Sequence, residues 1–423
     1  MTIDGAVTQD EFQGSLPPKK GQYSAYAVCW LLGIGCLFSW NSMLTIEDYY
    51  QYLFPDYHSS RVLTLVYQPF ALITTFILAY NEARINTRQR ILIGYVLFFI
   101  STFIIIILDL ATSGKGGLGT FIGICAMSAL FGFADAHVQA GIMGDLSYMN
   151  PDFIQSFTAG LAASGVITSG LRLITKSAFE NSKDGLRKGA LLFFSISTLY
   201  ELFCVFLYTF IFPRLKVVNY YRSKAASEGS KTVVADLAAG GIAVSDQNDV
   251  EESKAKERLN NKELLKQNID FGLDIFITYI LTLSIFPGFL SEDTGKHGLG
   301  SWYAITLIAM FNVGDLIGRY IPLIKVLKLE RRSWLTIAAI SRLSFIPAFY
   351  FTAKYGDQGW MLMLCILLGL SNGFITTCVF TLAPKGYKGP EQNALGNILV
   401  VFLLMGITSG VISDWLWLIG KGW

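Results

Sequence analysis

The chain has 423 residues, 52% of them hydrophobic and only 15% charged, with a formal net charge of +2 at neutral pH. A soluble globular protein carries about 25% charge, so an ordinary soluble fold is excluded. The near-zero charge balance likewise gives no electrostatic basis for a nucleic-acid partner. Mean hydropathy is +0.47, and the charges fall in short runs between long apolar blocks, each able to cross a hydrocarbon core with about 20 residues.

In chain order the apolar runs fall at roughly 25–45, 62–80, 90–109, 118–140, 153–174, 189–212, 269–290, 301–322, 333–353, 359–383 and 393–418. They predict an all-α polytopic membrane protein of about eleven spans in a six-plus-five, pseudo-symmetric two-bundle arrangement like that of major facilitators, although no strong internal sequence repeat is visible. Residues 1–24 form an N-terminal tail, 25–212 a six-helix bundle, 213–268 a linker and 269–423 a five-helix bundle. The first run is too long for a signal-peptide core and reads as an uncleaved anchor. The linker opens with a Gly/Ala/Ser-rich stretch that cannot bury enough apolar surface to order itself. It closes with a charged segment, EESKAKERLNNKELLK, suited to a short surface helix before the seventh span.

With the N-terminus cytoplasmic, the inside connections hold 21 Lys and Arg residues and the outside ones nine. That bias places the N-terminus and linker inside and, with an odd number of spans, the C-terminus outside. One connection, 175–188, runs against the trend. The six cysteines all lie in apolar runs, so no disulfide framework is expected. No Cys/His cluster suggests a metal and no cofactor is expected. The lack of any nucleophile or acid/base constellation argues against a membrane-embedded enzyme.

Ionisable groups inside spans are costly and face a cavity or a partner. The eighth span carries the richest set. In MFNVGDLIGRY, Phe311, Asp315 and Arg319 recur every four residues, and Asn312 joins Asp315 at a spacing of three. Asp315 and Arg319 can pair along the helix, and Gly314 and Gly318 permit close backbone approach. In the first span, Trp40 and Asn41 sit mid-to-late. Trp40 reads either as an interfacial anchor or as a stacking wall for a flat ligand. In the fourth, Asp135 and Gln139 share a face, and Gln139 offers both donor and acceptor atoms, either for a ligand or for a neighbouring helix. Arg342, near the start of the ninth span, is expected to snorkel to the interface. Glu201 and Asp414 read as structural.

Together, GIGCLFSWNSMLT at 33–45, IFPGFLSED at 285–293, MFNVGDLIGR at 310–319, SRLSFIPAFYF at 341–351, GLSNGFITTCVFTLAPK at 369–385 and NALGNILVVFLLMGITSG at 393–410 make the chain resemble the equilibrative nucleoside transporters, and in texture their plant branch. The resemblance covers essentially the whole chain. It implies that Asp315 and Arg319 serve ribose recognition and coupling of the halves. It implies further that Trp40 lies near the nucleobase, that Gln139 hydrogen-bonds the base, and that Gly160 packs beside the pathway. Asn41 and Asn312 match motif positions at the substrate site. Phe311 and Asp135 are assigned to the pathway or its gates. Where the family usually has Pro before the Trp-Asn pair, this chain has Ser39. The implied activity is movement of purine and pyrimidine nucleosides, such as adenosine and uridine, across the plasma membrane by alternating access, facilitated or proton-coupled. The competing reading is a sugar or other small-solute facilitator of the two-bundle type.

Overall fold

A computed structural model describes residues 21–179, 182, 184–227, 259–286, 288–292, 298–355 and 358–418. Eleven helices are long and apolar enough to cross a membrane: α1 (Gln22–Thr45), α2 (Arg61–Tyr80), α3 (Thr87–Thr112), α4 (Leu118–Ser147), α5 (Pro151–Phe179), α6 (Gly185–Arg214), α7 (Ile269–Leu290), α8 (Tyr303–Leu323), α9 (Arg332–Tyr355), α10 (Gln358–Leu382) and α11 (Gly389–Trp417). No strand occurs among the described residues. The fourth helix runs to Ser147, beyond the expected 140, because GIMGDLS continues the helix into full burial. Of the tail, residues 1–20 lie outside the described residues, as does the linker between 228 and 258. The linker's ends are helical, at Lys216–Ser227 and Asn261–Gln267. The second of these starts at a capping box between Asn260 and Glu263.

The burial pattern is that of a protein in lipid. Phe76, Ile77, Phe103, Leu199, Phe206, Ile337 and Phe351 face outward, while Asp135, Arg172, Glu201, Asp274, Asp315, Arg319 and Arg342 are buried. All six cysteines are free, five of them buried.

Packing shows the pseudo-twofold relation expected from the six-plus-five layout, with no sequence repeat behind it. Within the halves, α1 packs on α5 as α7 packs on α11, and α2 on α4 as α8 on α10. Between the halves, α5 meets α8 as α11 meets α2. The α3–α6 pair has no counterpart, since α9 lacks a twelfth span to pack on. Accordingly α9 is the least buried span, at 22%.

Several of these crossings need glycine. A Cβ on Gly160 would strike the Trp30 carbonyl oxygen and come within 3.0 Å of Gly33 Cα, so α1 and α5 touch backbone to backbone. Gly314 and Gly318 on α8 meet α10 backbone, and Gly369 and Gly373 on α10 meet α8 backbone in return. Small residues at crossings replace the hydrophobic drive that lipid removes.

Candidate functional site

The seam between the halves has two ends. One lies on the face that carries the linker, the other on the opposite, far face. On the linker side the chemistry centres on α8. Arg319 Nε donates to Asp315 Oδ2 at 3.0 Å, one helical turn away. The other carboxylate oxygen accepts from Asn372 Nδ2 of α10 at 2.8 Å. Asn372 Oδ1 accepts from the Thr282 hydroxyl at 2.9 Å, and Thr282 in turn accepts from Arg342 Nη2 at 2.7 Å. Arg342 also donates to the Thr278 carbonyl and the Ser371 hydroxyl. The expectation that Arg342 snorkels is therefore corrected. It is 2% exposed and ties α7, α9 and α10 together. Sequence reading missed it because Arg342 sits a few turns into α9, where the helix is interrupted by a 3-10 turn at Arg342–Ser344 that redirects the side chain inward.

The same guanidinium reaches across the seam. Arg319 Nη1 donates to the Thr158 carbonyl of α5 at 2.8 Å, and Gln155 Nε2 donates to the Arg319 carbonyl at 3.1 Å. One to two turns away, Asn312 Nδ2 donates to the Ser169 hydroxyl at 2.9 Å and to the Gly165 carbonyl at 3.2 Å. Phe311, on the next flank of the helix, stacks on Phe286 with centroids 4.3 Å apart. The four α8 residues expected on one face therefore divide. Asp315 and Phe311 face their own half, Asn312 faces α5, and Arg319 serves both.

A second set of contacts closes the linker side between α3, α4 and α11. Arg90 donates to Asn397 Oδ1 at 2.8 Å and to the Ala136 carbonyl at 3.1 Å. Arg90 stands at the boundary between the charged connection 81–90 and the expected third run at 90–109. It is in fact buried inside α3, whose helix starts earlier, at Thr87, under an Asn86 cap. A Cβ on Gly144 would collide with the side chains of Asn393 and Asn397. Both ends of the linker are pinned nearby. Arg222 pairs with Asp145 at 2.6 Å, and the Leu259 amide donates to Glu391 at 3.1 Å.

The N-terminal half contributes an aromatic and polar string. Trp40 is 7% exposed and stacks on Tyr67 with centroids 4.1 Å apart and planes 26° from parallel, so it is no interfacial anchor. The Cys36 thiol donates to the Asp135 carboxylate at 3.5 Å, and the Tyr67 hydroxyl lies beside the same carboxylate. Asn41 donates to Ser164 of α5 at 2.6 Å, within its own half. Ser39, standing where the family has Pro, donates to buried Glu201 at 2.6 Å, a contact that Pro cannot make. Trp40 lies four residues beyond Cys36 toward the far face. Gln139 lies four residues beyond Asp135 toward the linker face. At 1.5 Å per residue the two are about 12 Å apart along the membrane normal. Trp40 and Gln139 therefore flank the Cys36–Asp135 level and are not brought together. Gly160 lies at the α1–α5 crossing, as expected of a packing residue.

On the far face the halves part around a cavity of about 820 Å³. Leu44, Thr45, Asp48, Arg172 and Lys176 line it from one half, and Ala304, Ile305 and Ile308 of α8 from the other. Its floor at Leu44 lies one turn from Trp40 and Asn41. Charged groups at its rim are paired: Arg172 with Asp48, and Arg187 with Asp109 at 2.8 Å. Burial and the Asp109 carboxylate push the Tyr49 hydroxyl well above the usual phenol range, so it stays a neutral donor to Asp109.

The model of the family described as nucleoside transporters matches residues 125–419. The chain is 64% identical to equilibrative nucleotide transporter 3 of Arabidopsis thaliana, over 97% of this chain and 99% of that one. It is 60% identical to equilibrative nucleotide transporter 6 of the same plant, with the same coverage. Among solved structures it resembles the major facilitator proton:xylose symporter XylE, with a TM-score of 0.63 and 13% identity over 94% of this chain and 88% of that one. At that identity the likeness speaks to the fold alone. Sequence, fold and packing agree, and the chain belongs to the nucleoside transporter family as a plant-type member, a carrier and not an enzyme.

Proposed function

We propose that the protein carries purine and pyrimidine nucleosides, adenosine and uridine among them, across the plasma membrane by alternating access, with the N-terminus cytoplasmic and the C-terminus extracellular. The observation that carries this reading is the asymmetry of the seam. Arg319, buried in α8, holds the Thr158 carbonyl of α5 on the linker side, while both halves line an open cavity on the far side. Such an arrangement is one state of a rocking pair, closed at one end and open at the other.

A nucleoside is a flat heterocycle on a diol sugar. Trp40 offers stacking, Gln139 offers an amide to the base edge, and Asp315 accepts from sugar hydroxyls. Both Asp315 oxygens are engaged, but each keeps a second lone pair for a hydroxyl. Asn41 and Asn312 shape the site through Ser164 and Ser169. Gly160, Phe311 and Asp135 act on helix packing and gating. The substrate is uncharged, which agrees with a site whose ion pair is internal. Transport runs down the substrate gradient or with a proton.

The test is uptake of labelled adenosine and uridine in nucleoside-transport-deficient cells at pH 5.5 and 7.5, with and without a protonophore. Saturable uptake of both is expected, and a protonophore-sensitive rise at pH 5.5 marks proton coupling. Uptake blocked by hexoses but untouched by nucleosides would sink the reading and favour a sugar facilitator.

A further inference from the structure

Trp40 stacks on Tyr67 with ring centroids 4.1 Å apart. Aromatic partners in contact have centroids about 4.5–7 Å apart, so no third ring fits between these two. The two side chains are 7% and 3% exposed. The far-side cavity stops one turn short of them. The stacking surface that a base would use is thus already taken by a protein side chain.

Tyr67 is held in place by two constraints. Its hydroxyl lies beside the Asp135 carboxylate of α4. Its backbone is fixed because Gly132 of α4 packs directly on the Tyr67 carbonyl, where a Cβ would collide. The ring can therefore leave Trp40 only by turning about its own side-chain bonds, which carries the hydroxyl away from Asp135. Pro69 follows two residues later in the same helix. It supplies no amide to the Leu65 carbonyl and so loosens the turn that carries Tyr67.

We propose that Tyr67 is a resident occupant of the Trp40 stacking face that an incoming nucleobase must displace, so that its hold on that face sets nucleoside affinity by self-competition. This rests on the reading of Trp40 as the base-stacking residue. A carrier whose binding-competent arrangement is only a fraction of the population shows an affinity reduced by that fraction. Weakening the hold on Tyr67 therefore raises affinity, the reverse of what losing a contact residue does.

The experiment compares Tyr67→Phe, Tyr67→Leu and Trp40→Leu with the parent. It measures KM for labelled adenosine and uridine at equal surface abundance. Equilibrium binding of labelled adenosine to the detergent-purified protein gives Kd independently of the transport rate. Tyr67→Phe keeps the ring and removes the hydroxyl beside Asp135. The expected result is KM and Kd lower by about three- to tenfold for both nucleosides, the scale of one ordinary intramolecular hydrogen bond. Tyr67→Leu should lower both as well, and Trp40→Leu should raise them. Unchanged constants in Tyr67→Phe, or raised ones in Tyr67→Leu, would overturn the proposal, the second by making Tyr67 a wall that holds the base. If Trp40→Leu leaves Kd unchanged, the stacking reading itself fails. If Trp40→Leu raises Kd while Tyr67→Phe does nothing, only self-competition fails.

Discussion

The linker-side and far-side ends of the seam are built from different materials. From the linker side to mid-span, polar groups cross between the halves at several levels: buried Arg319 to Thr158, buried Arg90 to Asn397, and half-buried Asn312 to Ser169 near the middle. On the far side the halves are joined by looser cation contacts. Arg61 lies 4.0 Å from Asp414 and over the Trp415 ring, and Lys176 lies over Trp302. Hydrogen bonds made at 2.8–2.9 Å are directional and fail together when helices separate. Cation contacts at 4–5 Å tolerate a shift of an ångström or more. The lesson is that one end behaves as a lock and the other as a yielding edge.

The largest expected effect falls on the lock. Arg319→Ala leaves Asp315 buried beside Asn372 without its cation. Breaking a buried pair by removing one partner costs about 3–5 kcal/mol, so uptake per surface carrier should fall by on the order of a hundredfold. Asp315→Asn should be severely impaired as well, and full uptake by both variants would refute the assignment. Next comes Gly144→Val, which forces side-chain bulk against Asn393 and Asn397. Overpacking costs about 1–3 kcal/mol, here charged to the closed end. We expect about a tenfold lower maximal rate at normal surface abundance, and an unaltered rate would show that α4 and α11 need not meet. Asn312→Ala removes two half-buried crossing bonds, each worth about 0.5 kcal/mol. A three- to tenfold loss in maximal rate is expected, and an equal loss in Asn41→Ala would erase the distinction between seam and intra-half contacts. At the yielding edge, Asp414→Asn keeps an oxygen for the Phe289 amide and removes only a charge 4.0 Å from Arg61. Uptake should stay within about threefold, and a loss as large as that of Arg319→Ala would make the two ends equivalent. Smallest of all is deletion of residues 228–258, which should leave uptake within about twofold, since a Gly/Ala/Ser-rich and charged composition buries little apolar surface. Lost transport in correctly placed protein would assign that segment a working role.

The membrane-spanning pattern was fully legible from hydropathy, because burial in lipid leaves a signal in every span. The Asp315–Arg319 pair was legible too, since its spacing of four on an apolar helix admits few readings. What could not be read was which residue meets which across the seam. Arg90 looked like one charge among several in NEARINTRQR, and only the early start of α3 buries it. Thr158 acts through its carbonyl, which every residue possesses, so no letter in the sequence marks it. Tyr67 carried no signal, because an aromatic in an apolar run is ordinarily packing. The pseudo-symmetry was legible only in the six-plus-five layout, for it lives in helix contacts and not in side chains.

The glycines of α8 and α10 have a mechanical consequence. Gly314, Gly318, Gly369 and Gly373 bring the two backbones together with no layer of side chains between them. A side-chain layer can absorb strain by changing rotamers, and direct backbone contact cannot. The pair therefore moves as a single stiff beam. A tilt that pulls Arg319 off Thr158 must carry Asn372 with it, so the Asp315–Asn372 bond survives the motion. The Asp315 carboxylate thus travels with the pair as a preassembled unit, and its geometry stays constant through any tilt.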